Sequence, residues 1–149
     1  EYAQERISIG ANSTDRAPND IDLRYLAFAS VSQNKEKSLN AAAWFISMLT
    51  KRHASITALK AAGAEDSHIQ KIKELGDIDS ISSSVLRNSI SPELMNLYTI
   101  AGTPEDCQTR VGELVDMGIK HLTLVPFSNE EKNILEVLEI FSDFDCISN

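Results

Sequence analysis

The sequence predicts an α/β fold, because two apolar, β-prone stretches are each followed by an amphipathic helix. The first stretch is 21–32, IDLRYLAFASVS, and the second is 121–127, HLTLVPF. After Arg24, most positions of the first stretch are apolar on both alternating faces, which is typical of a strand covered on both sides in a parallel sheet. Each strand with the helix that follows it makes one β/α unit.

Composition indicates one globular domain and excludes some partners. The chain has 149 residues, of which 42% are hydrophobic, enough for a core. Its net charge of −8 argues against nucleic acid or an anionic membrane as a partner, since both require basic surface. No apolar run approaches the ~20 residues that span a bilayer, and the first ten residues show no signal-peptide pattern. Two cysteines form no disulfide framework, which fits a reducing cytoplasm.

Local patterns predict the elements around the first strand. Residues 1–10 are predicted to form a helix that ends at Gly10, and residues 11–20 a loop rich in Asn, Ser, Asp and Pro. The helical pattern is already under way at the first residue, so we expect the chain to be the later part of a longer protein; an engineered or processed chain would show the same pattern. Asn34 can cap the next helix, which is predicted over 35–51 with a continuous apolar stripe.

Residues 53–97 are predicted to form a helical insertion between the two β/α units. Short helices in it are expected to end at Gly63 and Gly76. Ser91 followed by Pro92 predicts the start of a further helix, because a serine hydroxyl caps and proline fits the first turn. The insertion is therefore expected to contribute helices and no strand.

The stretch between the insertion and the second strand has the clearest local pattern. Thr103 is expected to cap a helix, Pro104 suits its first turn, and Asp106 completes a capping box. Gly118 supplies a left-handed stop, and a short third strand is predicted just before the helix at 98–101. Apolar residues recur at helical spacing on one predicted face, and Cys107 is expected to be a small core residue. They are Cys107, Val111, Leu114, Val115 and Met117.

The number of strands predicts part of a larger architecture. A last helix is predicted over 130–141, capped by Ser128 or Asn129. Two parallel strands do not make a self-sufficient sheet with covered faces, so they fit better as the last strands of a larger parallel structure. A (β/α)₈ barrel takes roughly 250 residues, at roughly 30 per β/α unit. The sequence therefore predicts a single partial domain over 1–149, the helix-rich C-terminal portion of a TIM barrel with 53–97 inserted.

The residues around the capped helix resemble the C-terminal signature of the luciferase-like monooxygenase superfamily. The resemblance is carried by 100–106, IAGTPED, by Val111, Leu114, Gly118 and Ile119, and by 121–124, HLTL. Residues 20–42, DIDLRYLAFASVSQNKEKSLNAA, resemble the penultimate strand and helix of that family. The intervening block is most similar to the branch that contains methylenetetrahydromethanopterin reductase, which uses the deazaflavin coenzyme F420.

The resemblance implies a flavin- or deazaflavin-dependent oxidoreductase. Its reaction would be hydride transfer between coenzyme F420, or FMN, and a carbon substrate such as methylenetetrahydromethanopterin. It further implies a small-molecule substrate, no metal and a homo-oligomer. In this family most cofactor contacts lie in strands earlier than those present in this sequence. The chain alone is therefore expected to bind no cofactor and to be inactive, and its catalytic residues are unknown.

Candidate site residues follow the predicted strands, because barrel enzymes place their sites at the carboxyl ends of the strands. Ser30, Ser32 and Gln33 lie at the end of the first strand, and 126–128, Pro-Phe-Ser, at the end of the second. Ser30, Ser32 and Phe127 are the candidate cofactor contacts. The alternative for the serines is strand termination and helix capping, and for Phe127 it is packing beneath a loop.

The sequence offers little other chemistry. None of the three histidines, His53, His68 and His121, has a second ligand at metal spacing. Asp15, Asp20 and Asp22 lack the glycine and closing glutamate of a calcium loop. No GxGxxG, P-loop or GxSxG motif is present. Two other functions stay open: a non-catalytic α/β interaction module derived from such a barrel, and an unrelated helical regulatory domain with a small sheet.

Overall fold

The computed structural model of the chain describes residues 2–52, 56–61, 63–127 and 131–142. Within these ranges the strands are β1 (Arg24–Val31), β2 (Thr99–Gly102) and β3 (His121–Pro126). The helices are α1 (Tyr2–Asn12), α2 (Lys35–Arg52), α3 (Ile56–Ala61), α4 (Asp66–Glu74), α5 (Ser83–Asn88), α6 (Pro92–Tyr98), α7 (Pro104–Asp116) and α8 (Glu131–Ser142). Short 3₁₀ turns cover Pro18–Asp20 and Ile78–Ser80.

The three strands form one parallel sheet with β1 in the centre, in the order β2-β1-β3. Strand β3 pairs along most of β1, from Arg24 opposite His121 to Ala29 opposite Pro126. Strand β2 pairs only with the carboxyl-terminal half of β1, where Phe28 lies opposite Thr99. The predicted α/β fold, its parallel sheet and its short third strand are confirmed.

One core lies beneath one face of the sheet. Helix α7 packs against β2, and helix α8 packs against β1 and β3. The buried residues of this core come from β1, β2, α7 and α8, because apolar side chains leave water where helix and sheet faces meet. They are Ala27, Ala29, Val31, Ile100, Cys107, Val111, Leu114 and Val137.

A second core joins the segment 56–98 to α2. Helices α4, α5 and α6 all pack against α2, which in turn contacts β1 and β2. The Lys51 ammonium donates to the Leu75 and Gly76 carbonyls, which ties the end of α2 to the end of α4. The buried residues of this core are Ala42, Ala43, Ile46, Leu59, Ala64, Ile69, Ile72, Ile78, Leu86, Ile90, Leu94 and Met95.

The sheet is covered unevenly, and the prediction of a strand buried on both faces is wrong for the first half of β1. Leu26 is 54% exposed, whereas Ala27, Ala29 and Val31 are fully buried. On the same face Leu26 lies opposite the exposed Thr123 of β3. Helix α2 reaches this face only near the carboxyl end of β1, where the Phe28 and Phe45 rings are 4.2 Å apart between centroids.

Element boundaries differ from the predictions by one or two residues where a local signal was misassigned. Helix α1 passes Gly10 and ends at Asn12, because Gly10 does not take a left-handed conformation. Helix α4 ends one residue before Leu75, which is extended, so Gly76 is not its stop. Gly63 and Gly118 do take positive φ, as predicted. Within the described residues, no helix is both long and apolar enough to cross a membrane.

Candidate functional site

The candidate site is the carboxyl end of the sheet, where β1, β2 and β3 all finish. A buried serine of α2 holds two of these strand ends together. The Ser38 hydroxyl donates to the Ser30 carbonyl of β1 and accepts from the Gly102 N–H of β2, at 2.8 Å. Ser38 is 1% exposed and Ser30 3% exposed, so water does not compete for these bonds. The first turn of α2 therefore fixes how far apart the ends of β1 and β2 lie.

Ser32 forms the turn between β1 and α2. Its hydroxyl oxygen accepts from the Asn34 N–H at 3.2 Å, and its own N–H donates to the Gly102 carbonyl at 3.0 Å. The Asn34 side chain in turn accepts from the Lys37 N–H at 3.3 Å, which is the contact of a helix cap. Ser32 thus takes part in strand termination. In the two bonds described here its hydroxyl oxygen accepts and its backbone N–H donates.

The helix that follows β2 begins with a complete capping box. The Thr103 hydroxyl accepts from the Asp106 N–H, and the Asp106 carboxylate accepts from the Thr103 N–H at 3.0 Å. Lys35, at the start of α2, approaches the same carboxylate to 2.9 Å. The Thr103 N–H and then Lys35 hold the pKa of Asp106 below its ordinary value, because both favour the charged form. The capping box predicted for Thr103 and Asp106 is confirmed, and the Asp106 carboxylate also links the first turns of α2 and α7.

Phe127 follows β3 on the same side of the sheet. Its N–H donates to the Ala29 carbonyl at 3.0 Å, which places it beside the end of β1. Its ring lies 4.8 Å from the Phe45 ring of α2, and Phe45 also contacts Phe28. Phe127 is half-buried and packs against Phe45.

The structure brings the predicted site residues to one end of the sheet. Ser30, Ser32 and Phe127 all lie at the carboxyl ends of neighbouring strands, with Ser30 buried beneath the turn. Gln33 is exposed in that turn. Ser128, which was also a candidate, lies outside the described residues. Whether any of these side chains contacts a cofactor stays a prediction.

Other potentially reactive side chains in the described part of the chain, those of Cys107 and His121, lie in surroundings that suggest a structural role. Burial, together with the neighbouring Asp106 charge, raises the pKa of Cys107 to about 12, so its thiol is protonated. His121 lies 3.1 Å from Asp22 at the opposite, amino end of the sheet. Among the described residues, His, Cys, Asp and Glu side chains form no group of three or more that could hold a metal ion.

Sequence reasoning missed Ser38, which connects the ends of β1 and β2, and Lys35, which connects the first turns of α2 and α7. Both lie in the first turn of α2. Ser38 could have been identified as a serine on the buried face of an apolar helix, since a buried hydroxyl needs a hydrogen-bond partner. Lys35 gives no such signal, because its partner Asp106 is 71 residues away in the chain. The Lys35–Asp106 contact could be predicted only once β1 and β2 were known to be neighbours, because that pairing brings the starts of α2 and α7 together.

No family model matches the chain. A 5,10-methylenetetrahydromethanopterin reductase of Methanolobus tindarius is 29% identical over 132 residues, covering 82% of this chain and 37% of the relative. The corresponding protein of Archaeoglobus fulgidus is 23% identical over 146 residues, covering 93% of this chain and 42% of the relative. The chain is similar in sequence to methylenetetrahydromethanopterin reductases. The predicted resemblance to the branch that contains methylenetetrahydromethanopterin reductase is thus confirmed.

A solved reductase has the same fold over most of this chain. The coenzyme F420-dependent tetrahydromethanopterin reductase of Methanopyrus kandleri superposes with a TM-score of 0.68 and 17% identity, covering 95% of this chain and 39% of that one. The likeness confirms that the α/β fold corresponds to part of the reductase barrel. The chain spans well under half the length of each of these three reductases.

Proposed function

We propose that this chain is part of an oxidoreductase that transfers hydride between coenzyme F420, or FMN, and a carbon substrate such as methylenetetrahydromethanopterin. The observation that supports the proposal most is the sequence similarity to a reductase over 82% of the chain. The fold is consistent with it, since the described elements match part of the structure of a coenzyme F420-dependent reductase. In this proposal the segment 53–97 is an insertion within one partial domain that spans 1–149.

The proposed contribution of this chain is one wall of the cofactor site. Bound F420 or FMN supplies the hydride chemistry, and the protein holds the ring and the substrate face to face. The half-buried Phe127 ring offers an apolar edge for a flat ligand, and it is held in place by Phe45. Ser30 and Ser32 lie at the end of the neighbouring strand β1, and the Ser32 hydroxyl accepts from the Asn34 N–H. The residues present could contact only one edge of a flat heterocyclic ring.

The remaining walls must come from polypeptide outside these 149 residues. Because the chain corresponds to 37% and 42% of the two curated relatives, we propose that it binds no cofactor alone. The complete protein is proposed to be a cytoplasmic homo-oligomer. Its exposed apolar side chains, such as Leu135 and Leu138 on α8, support an assembly in which further polypeptide covers them.

A chimera tests the proposal. The chain replaces the matching part of the Methanolobus tindarius reductase, and F420 and FMN binding are measured by fluorescence titration. We expect the chimera to bind F420, the isolated chain to bind neither cofactor, and Phe127→Ala to weaken binding in the chimera. Ser84→Ala, at an exposed serine far along the insertion, is the matched control and should leave affinity unchanged. A chimera that folds by circular dichroism yet binds neither cofactor contradicts the oxidoreductase proposal.

The alternative is a non-catalytic α/β interaction module. The exposed apolar side chains are equally compatible with it, since Leu26 on the sheet and Leu138 on α8 are each more than half exposed and could dock on a partner chain. Sedimentation velocity distinguishes the two functions. A module gives a monodisperse species that unfolds cooperatively on its own, whereas part of a barrel enzyme gives a mixture of associated species.

A further inference from the structure

A cavity of about 650 Å³ opens between the first turns of α2, the segment from α5 to α6, and α7. We call it the α2–α7 cavity. Its volume falls in the ~300–1,000 Å³ range of small-molecule sites. The described residues that line it do not include Ser30, Ser32 or Phe127, but its lining residue Ala101 pairs with Ser30 in the sheet, so it adjoins the proposed cofactor wall.

Three cationic side chains line the α2–α7 cavity, and each comes from a different element. Lys35 begins α2, Arg87 lies at the end of α5, and Arg110 projects from the middle of α7. Two carboxylates, those of Asp106 and Glu113, line it as well. The lining is therefore positive on balance, although the whole chain carries a net charge of −8. Each cation has a carboxylate partner, Asp106 for Lys35, Glu113 for Arg110 and Glu36 for Arg87, so an incoming anion has to displace one of these partners.

Both arginines are held by partners that a ligand can replace. Arg87 lies 3.5 Å from Glu36, whose side chain is 81% exposed, and Arg110 lies 2.5 Å from Glu113, which is more than half exposed. Exposed ion pairs of this kind contribute little, so exchanging Glu36 or Glu113 for another anion loses little. Arg110 is positioned by a second bond, from its guanidinium to the Asn96 carbonyl at 3.2 Å. Its Nε–H is buried and has no acceptor within the described part of the chain, while the guanidinium also interacts with the Tyr25 hydroxyl.

The rest of the lining is largely apolar and indicates what kind of group could lie next to the arginines. Leu39, Ile90, Met95 and Ala101 form an apolar floor, and Ile90 and Met95 belong to the core of the insertion. Such a floor suits a compact apolar group, while a guanidinium fork suits the two oxygens of a carboxylate or phosphate.

We propose that the α2–α7 cavity binds a small organic anion, a carboxylate or phosphate carried on a compact apolar body. Arg87 and Arg110 bind the anionic group, and the apolar floor receives the body. The site depends on residues of α2, of the insertion and of α7, so it exists in this chain whether or not the cofactor proposal holds.

Titration of the chain with phenyl phosphate and with benzoate at low salt, followed by calorimetry or NMR, tests this site. We expect at least one probe to saturate one site, inorganic phosphate to bind more weakly than phenyl phosphate, and added salt to weaken binding. Arg87→Gln should reduce affinity roughly tenfold or more, because it removes a charge-assisted hydrogen bond. Arg110→Lys should also weaken binding, since it keeps the charge and loses the planar fork.

Lys120→Gln is the matched control, because it removes one exposed positive charge that does not line this cavity. Its affinity for the probes should equal that of the wild-type chain. The site is overturned if neither phenyl phosphate nor benzoate saturates the folded chain. It is also overturned if Lys120→Gln weakens binding as much as Arg87→Gln, since that result means a general charge effect.

Discussion

Replacing Gly102 by alanine should destabilise the fold, because two features of this position exclude a side chain. Gly102 ends β2 with φ of +152°, a conformation that L residues rarely adopt. A Cβ added there would lie 2.6 Å from the Asp106 Cβ and 2.7 Å from its Oδ2, closer than real Cβ contacts allow. Asp106 cannot move away without loss, because it closes the capping box with Thr103 and pairs with Lys35.

The magnitude follows from those two features. A non-glycine residue in an unfavourable backbone region costs about 1–3 kcal/mol, and loss of a helix cap costs about 0.5–2 kcal/mol. We therefore expect Gly102→Ala to lower the free energy of unfolding by about 2–4 kcal/mol. For a chain near this size each kcal/mol moves the melting temperature by roughly 2–4 °C, so Tm should fall by roughly 5–15 °C.

Urea denaturation followed by circular dichroism measures the change, and Gly112→Ala provides a control of opposite sign. Gly112 lies inside α7, where an added Cβ meets nothing within 4 Å. An alanine there should stabilise the protein by about 0.5–1 kcal/mol, since glycine is a poor helix former. If Gly102→Ala unfolds at the same urea concentration as the wild type while Gly112→Ala shifts as expected, the close approach of Gly102 to Asp106 is refuted.

Three further predictions concern the same region. Thr103→Ala should lower stability by about 0.5–2 kcal/mol in urea denaturation, and Thr103→Ser should restore most of it, because serine also caps. The lowered pKa of Asp106 means that its stabilising contribution is present above the ordinary carboxyl pKa and is lost as pH falls through the lowered value. Asp106→Asn should therefore lower the free energy of unfolding more near neutral pH than in acid. Urea denaturation at neutral and at acid pH measures this difference. In a Cys146→Ser background, Cys107 should react with a thiol reagent only in denaturing urea, because it is buried and its pKa is about 12.

Elements fixed by neighbouring residues could be predicted from the sequence. The capping box of α7 needs only Thr103 and Asp106, three residues apart, and the structure contains both of its bonds. The Ser91 hydroxyl accepts from the Leu94 N–H at 3.2 Å, as the Ser-Pro start of α6 predicted. Gly63 and Gly118 take positive φ for the same local reason.

Features that depend on distant pairing could not be predicted in the same way. Strand β2 has four residues, and its limits are set by the end of α6, where the Thr99 hydroxyl donates to the Met95 carbonyl at 2.8 Å. Val115 and Met117 continue the apolar stripe of α7, yet both are about half exposed because α7 passes beyond β2 there. Periodicity identifies the apolar face of a helix, and the length of the partner element decides how much of that face is covered.

The hydrogen bonds at the strand ends restrict how this part of the chain can recognise a ligand. The Gly102 N–H and carbonyl, the Ser30 carbonyl and the Phe127 N–H are all engaged within the protein, by Ser38, Ser32 and Ala29. A ligand at the carboxyl end of the sheet therefore finds few free backbone groups here, and a buried backbone group is not given up without cost. Contacts from this chain must come from side chains, and the Phe127 ring is the best exposed of the three candidates. This is why substitution of Phe127 separates a role in binding from a role in strand pairing: its backbone bond to Ala29 survives the change, and only the ring is lost.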